Sequence, residues 1–293
     1  MRREGGAWAC LPSIGDVPGL LFDPIGTLTR CRREQGDVAA LSVPTRSVFL
    51  VSHPREIRQV LAERAAIYRR DPWHAAQLRE VSGRGLTASE GSLWSAQRRS
   101  LRRELVAERV DAMYLTAVET TDAMLARWRV AATAGEAVDL GVELPRVSLE
   151  ILTRCLFSVD VHAEATAILS DAATVLDHMY ERMRLGWPLL ARTIKPHTHK
   201  FLAARAALYG RAHIWLAERS ARRGQLAGSE DLAPAGLLDR LSAEEDRQLA
   251  ADQVVTMILA GHDTTGAALA WACHLLATDA GVAAPPASSS GAM

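Results

Sequence analysis

Apolar positions recur every three or four residues over most of the chain. This spacing predicts helices over 92–107, 110–130, 144–158, 163–185, 199–222 and 242–278. One segment follows a different pattern. Residues 36–51 (GDVAALSVPTRSVFLV) hold two β-rich runs around the turn-like 44–47, the pattern of a hairpin. Ser52 is expected to cap the next helix, with Pro54 in its first turn and Ile57, Val60, Leu61 and Ala65 as its apolar stripe. With so little strand and no internal repeat, the fold class is mainly α with a small β part. Residues 186–196 separate two long helices, and the small, polar 224–234 reads as a mobile loop. After Asp279 the chain runs AGVAAPPASSSGAM, without charge or periodicity. The expected division is therefore a domain over 1–279 and a disordered tail over 280–293.

Composition narrows the function classes. Hydrophobic residues make up 48% and charged residues 23% of the 293, which reads as a soluble globular protein. Lys and Arg number 34, as do Asp and Glu, so the formal charge offers no attraction for nucleic acid or an anionic membrane. Near the start, apolar stretches are broken by Arg2, Arg3, Asp16, Pro18, Asp23 and Pro24, which leaves no membrane anchor or secretory signal. The cytoplasm is the expected location. The cysteines at 10, 31, 155 and 273 form neither a C-x-x-C nor a zinc pattern. Cys155 and Cys273 lie in apolar helical stretches and are expected to act as small buried hydrophobes.

The chemistry concentrates in the last long helix. Ala260-Gly261-His262-Asp263-Thr264-Thr265 interrupts an apolar run from Val254 to Leu259. Gly costs a helix interior about 1 kcal/mol relative to Ala, and Asp and Thr are also poor formers. Rule-breaking of this local kind marks functional sites. Gly261 would let a flat ligand approach the backbone. Thr264 is placed to bond the carbonyl of Ala260 one turn back, and Asp263 sets an acid beside that hydroxyl. A helix contact between small residues is the plain alternative. Further upstream, Trp94 and Arg98 are four apart, so an indole N–H and a guanidinium share one helical face. Such a pair binds a carboxylate, though the same spacing also occurs in ordinary amphipathic helices.

Taken in order along the chain, these residues resemble the cytochrome P450 superfamily. Ala260–Thr265 resembles the [A/G]-G-x-[D/E]-T-T signature of its distal helix. Trp94 and Arg98, with Gly85-Leu86-Thr87 and Gly91 before them, resemble its loop and third helix. The resemblance covers about 15–279. It implies a P450 fold and a haem-thiolate monooxygenase that inserts one atom of O2 into a small organic substrate. Electrons would come from a reductase or ferredoxin. The cofactor implied is haem: Ala260, Gly261 and Thr265 would line it, Trp94 and Arg98 would hold a propionate, and Asp263 and Thr264 would deliver protons. Arg99, Arg102 and Arg103 are either part of a docking face for the electron donor or a solvated helix face.

The chain departs from that family in one respect. No cysteine follows Cys273, so the F-x-x-G-x-x-x-C-x-G segment that supplies the iron's axial thiolate is absent. No metal ligand is assigned. The matches to the family's E-x-x-R, at Glu143/Arg146, Glu181/Arg184 and Glu244/Arg247, all precede the Asp/Thr motif and are treated as chance. His262 occupies the variable position of the motif, and His197 and His199 are expected in solvent. The expectation is a truncated P450 fold, inactive alone, its tail the product of a frameshift. Val254, Ile258 and Leu269 would then need partners beyond the chain. The alternative is a non-catalytic P450-like protein that stabilises or activates another enzyme.

Overall fold

The computed structural model describes residues 15–43, 47–104, 106–184, 198–225 and 236–279. The segments expected to be a loop at 186–196 and a disordered tail at 280–293, most of 224–234, Cys10 and His197 lie outside the described residues. Two compact units are distinguished, one built from residues up to His74 and the other from Ala75–Arg182 together with the chain from Thr198.

In the first unit, α1 (Val17–Phe22) and α2 (Pro24–Gln35) begin where Asp16 and Asp23 precede a proline in the first turn. Asp23 caps α2 by accepting from the Gly26 N–H at 2.9 Å. The expected hairpin forms: β1 (Val38–Leu41) pairs antiparallel with β2 (Val48–Val51), Val38 opposite Val51 and Leu41 opposite Val48. Its inward residues Ala39 and Leu41 close on Cys31 of α2, with Leu28, Val48 and Leu50 around them. Asp16 ties helix to hairpin, accepting from Arg30 at 2.8 Å and from the Ser42 N–H at 2.7 Å. Burial alone would raise its pKa, but these bonds outweigh burial and hold it below the usual carboxylate value. The helix expected over the next residues is shorter than its pattern. α3 (Pro54–Arg58) passes into a π turn at Gln59–Glu63 and a 3-10 turn at Ala65–Ile67. His53 rather than Ser52 caps it, its Nδ1 accepting from the Arg55 N–H at 3.2 Å, while the Ser52 hydroxyl donates to the Asp37 carbonyl. Leu61 and Ala65 of the expected stripe are exposed.

α4 (Pro72–Ser82) carries the chain from the first unit to the second. The second unit then consists of α5 (Gly91–Arg102), α6 (Ala107–Ala134), α7 (Leu140–Leu152), α8 (Ala165–Arg184), α9 (Thr198–Gln225), α10 (Leu237–Ser242) and α11 (Arg247–Thr278). α11 runs through its centre. Ala250, Ala251, Val254, Val255 and Ile258 are fully buried, so Val254 and Ile258 find their partners within this chain, contrary to the expectation that they need others. Leu269, 42% exposed, does lack cover. The most extensive helix contact joins α11 to α7.

Two boundaries differ from the periodic pattern, each because a charged side chain found a better partner. The helix expected over 242–278 starts only at Arg247, after α10 has ended at Ser242. Asp246 accepts from the Leu249 N–H at 3.0 Å and restarts the helix after α10, whose Asp239 receives both Nε and Nη2 of Arg219 at 2.6 Å. The helix expected to reach 107 stops at Arg102, because Glu104 turns inward to 2% exposure. There it pairs with Arg109 at 2.5 Å and with Arg240, joining α5, α6 and α10. Glu104→Ala would leave two guanidinium groups facing each other, each still about a third in contact with water. We expect a loss of about 2 kcal/mol, read from the urea midpoint.

Candidate active site

α11 has two unlike faces at the motif. One is packed on α7. A Cβ at Gly261 would run into the Leu152 side chain, and one at Gly266 would lie 2.7 Å from both N and Cα of Pro145. Gly261 therefore sits at a close approach between α11 and α7. His262, 4% exposed, is buried with this face, and its Nδ1 lies 2.6 Å from the Ile258 carbonyl, the arrangement of an Nδ1–H donating to it. It fills space and satisfies a backbone oxygen, in keeping with its place at the variable position.

The other face is open. Ala260 and Thr264 are exposed one turn apart, and the Thr264 hydroxyl donates to the Ala260 carbonyl at 2.9 Å, the back-bond expected of this spacing. Thr265 is exposed as well. Asp263 is half-buried and turned towards α8, where its charge adds to burial in raising the pKa of Tyr180. Further along, the same open side carries Trp271, Leu275 and Leu276, which are 66%, 62% and 51% exposed.

On α5 the four-residue spacing brings Trp94 and Arg98 together, the guanidinium 5.3 Å from the centre of the indole ring. Arg99, Arg102 and Arg103 are exposed. The link from α5 to α11 is the turn over 83–89, in which Leu86 N–H donates to Gln253 at 3.3 Å and Ser89 donates to Gln97 of α5 at 2.6 Å. Asp252 holds the turn's start: its carboxylate accepts from the Arg84 N–H at 2.8 Å, the Tyr209 hydroxyl at 2.8 Å and Gln248 at 2.9 Å. Sequence reasoning missed Asp252, Gln253 and Tyr209. The signal was present as an Asp-Gln pair inside the apolar run AADQVV, since polar groups there need partners from other elements.

Elsewhere, Glu143 and Arg146 of one E-x-x-R match do not pair with each other. Glu143 pairs with Arg127 and Trp128, and Arg146 pairs with Glu150. Cys155 and Cys273 are half-buried rather than buried, and the fully buried cysteine is Cys31. No group of three or more potential metal ligands occurs among the described residues. No described helix is long and apolar enough to cross a membrane.

The cytochrome P450 family model matches residues 9–284, and the chain belongs to that family. It is 27% identical to cyclooctatin synthase of Streptomyces melanosporofaciens, over 85% of this chain and 54% of that protein. It is 26% identical to the chloroplastic protein lutein deficient 5 of Arabidopsis thaliana, over 85% of this chain and 44% of the relative. Pentalenene oxygenase of Streptomyces avermitilis is 25% identical over 93% of this chain and 59% of its own length. The chain thus spans about half the length of these relatives. A crystal structure of a cytochrome P450 superposes with a TM-score of 0.69, covering 89% of this chain and 60% of that one at 19% identity, which shows the shared fold.

The family's haem fits these residues in part. The open Ala260/Thr264 face suits one side of a flat ring, and Trp94 with Arg98 suits a carboxylate arm. Each of the described cysteines is engaged elsewhere. Cys31 belongs to the first unit's core, the Cys155 thiol lies 3.7 Å from the Met113 carbonyl, and Cys273 packs beside Met124, Leu144 and Val147.

Proposed function

We propose that this chain supplies the oxygen-side half of a P450-type monooxygenase site, for insertion of one atom of O2 into a small organic substrate. A reductase or ferredoxin would provide the electrons. Haem, when bound through a thiolate, supplies the oxygen chemistry. The observation that carries the reading is the open face of α11, where a methyl side chain and a back-bonded hydroxyl stand one turn apart. With its hydrogen committed to the Ala260 carbonyl, Thr264 Oγ1 presents lone pairs that hold a proton donor such as water beside the ring plane. Asp263, next in the chain and partly exposed, is the acid that exchanges protons with that water. Ala260 keeps the surface flat, and Trp94 and Arg98 anchor a propionate. Thr265 supports the hydroxyl, and the site is cytoplasmic. The chain by itself is inactive, because its described cysteines are engaged elsewhere: Cys31 in the hairpin's core, Cys155 against the Met113 carbonyl and Cys273 beside Met124, Leu144 and Val147.

Haemin titration tests this reading. The chain is expected to bind haemin, with Arg98→Ala weakening binding about tenfold through loss of one charge-assisted bond. Ala260→Phe should weaken it at least as much by blocking the open face. Binding unaffected by either change would sink the reading. The uncovered Trp271–Leu276 side of α11 would then favour the alternative, a non-catalytic auxiliary protein that contacts another enzyme.

A further inference from the structure

We propose that Asp252 is a positioning residue. It clamps the turn over 83–89, and through that turn the start of α5, onto α11, and so sets where Trp94 and Arg98 stand relative to Ala260. The part concerning Trp94 and Arg98 rests on the function proposed above, whereas the clamp itself does not.

Asp252 is 2% exposed, yet every partner it has comes from a different stretch of the unit or from its own helix one turn back. One oxygen accepts from Tyr209 of α9 and from Gln248, and the other accepts from the backbone of Arg84. The turn itself is shaped to that carboxylate. Gly83 has φ +58°, a left-handed conformation that favours glycine, and a Cβ there would strike the Asp252 side chain. At Gly85 a Cβ would lie 2.8 Å from the Asp252 carbonyl, so the turn lies directly against α11. Arg84, held by its N–H, sends its guanidinium to Asp246, the cap of α11. Its carbonyl accepts from Gln97 of α5 at 2.8 Å, and Gln97 is one residue from Arg98. The chain of contacts therefore runs from Asp252 through the Arg84 peptide to the middle of α5. Ala260 stands eight residues further along α11, about 12 Å up the axis. Tyr209 completes the clamp from above: Arg205 lies 4.4 Å from its ring centre, and burial followed by the charge of Asp252 raises its phenol pKa far above normal.

The variants are Asp252→Ala, Asp252→Asn and Tyr209→Phe in chain 1–293, compared by amide hydrogen exchange and haemin titration. Asp252→Ala should speed exchange at Arg84 and Leu86 by at least about tenfold, while amides of α6 and α7 keep their protection. Asp252→Asn keeps the volume and one acceptor oxygen and should recover part of that protection. Haemin affinity should fall in Asp252→Ala, and adding Arg98→Ala to it should cost less than Arg98→Ala costs alone, since the arm is already displaced. Unchanged exchange at Arg84 and Leu86, or an equal rise throughout the unit, would overturn the clamp. A clamp confirmed by exchange together with fully additive haemin effects would overturn its link to Trp94 and Arg98. If the unmodified chain binds haemin without regard to Arg98, the functional reading fails and the exchange result alone decides the clamp.

Discussion

Chain 1–293, reduced with haem and exposed to carbon monoxide, is expected to show no thiolate-type Soret band near about 450 nm. The reason is geometric as much as compositional. Haem held against Ala260 and Thr264 would need its thiolate from a cysteine facing that side of α11 from across the ring. Cys273 sits on that helix, nine residues beyond Thr264. At about 100° per residue this places it on the reverse side, where it packs with Met124, Leu144 and Val147. Cys155 follows α7 and points at the Met113 carbonyl, and burial raises its pKa, which disfavours the thiolate that iron needs. Cys31 is 1% exposed inside the hairpin's core, and burial raises its pKa as well. Haemin held only by the open face and the Trp94/Arg98 pair should keep a spectrum without sulfur ligation. A clean thiolate-type band would show that one of the chain's four cysteines reaches the iron. Serine substitutions at 10, 31, 155 and 273 would then identify it, and the description of the open face would have to be abandoned.

Much of the architecture could be read in the chain because the relevant signals are local. The hairpin followed from β-rich runs, and the long helices from period. The Thr264 bond to Ala260 followed from a four-residue spacing that any helix imposes. What escaped depended on partners far away in sequence. The turn inward at Glu104 is set by Arg109 and Arg240, and the second of these is invisible from a window around residue 104. Asp246 delays the start of the helix expected from 242, because a capping carboxylate outweighs the helix-favouring Glu244 and Glu245 beside it. Asp252 was visible only as an oddity, since the three groups it satisfies lie 168, 43 and 4 residues away. At Gly261 the neighbouring helix makes a demand that the motif alone does not announce, since a Cβ there would meet Leu152.

That demand leads to a graded result at the two glycines of α11. Gly266→Ala is expected to destabilise the protein by about 3 kcal/mol, while Gly261→Ala should cost less than about 1 kcal/mol. Both changes bring the same gain in helix propensity, about 1 kcal/mol. They differ in what the new methyl meets. At Gly261 it meets the Cδ1 end of Leu152, a side chain that can change rotamer and move aside. At Gly266 it meets N and Cα of Pro145 at 2.7 Å, atoms of a backbone that the proline ring makes stiff. The order of contacts, Gly266 with Pro145 and Gly261 with Leu152, shows that α7 and α11 run antiparallel here. A methyl at 266 therefore has to push the two helices apart along their closest approach. This is also the most extensive helix contact in the chain, so the separation is felt by Leu144, Val147 and Leu149 of α7, each no more than 5% exposed. Urea unfolding of the two variants under one set of conditions gives the comparison. Equal costs at the two positions would mean that α7 yields as easily as a leucine side chain, and the close approach of Pro145 would then have no structural weight. A larger cost at Gly261 than at Gly266 would reverse the assignment of which glycine sets the distance between the helices.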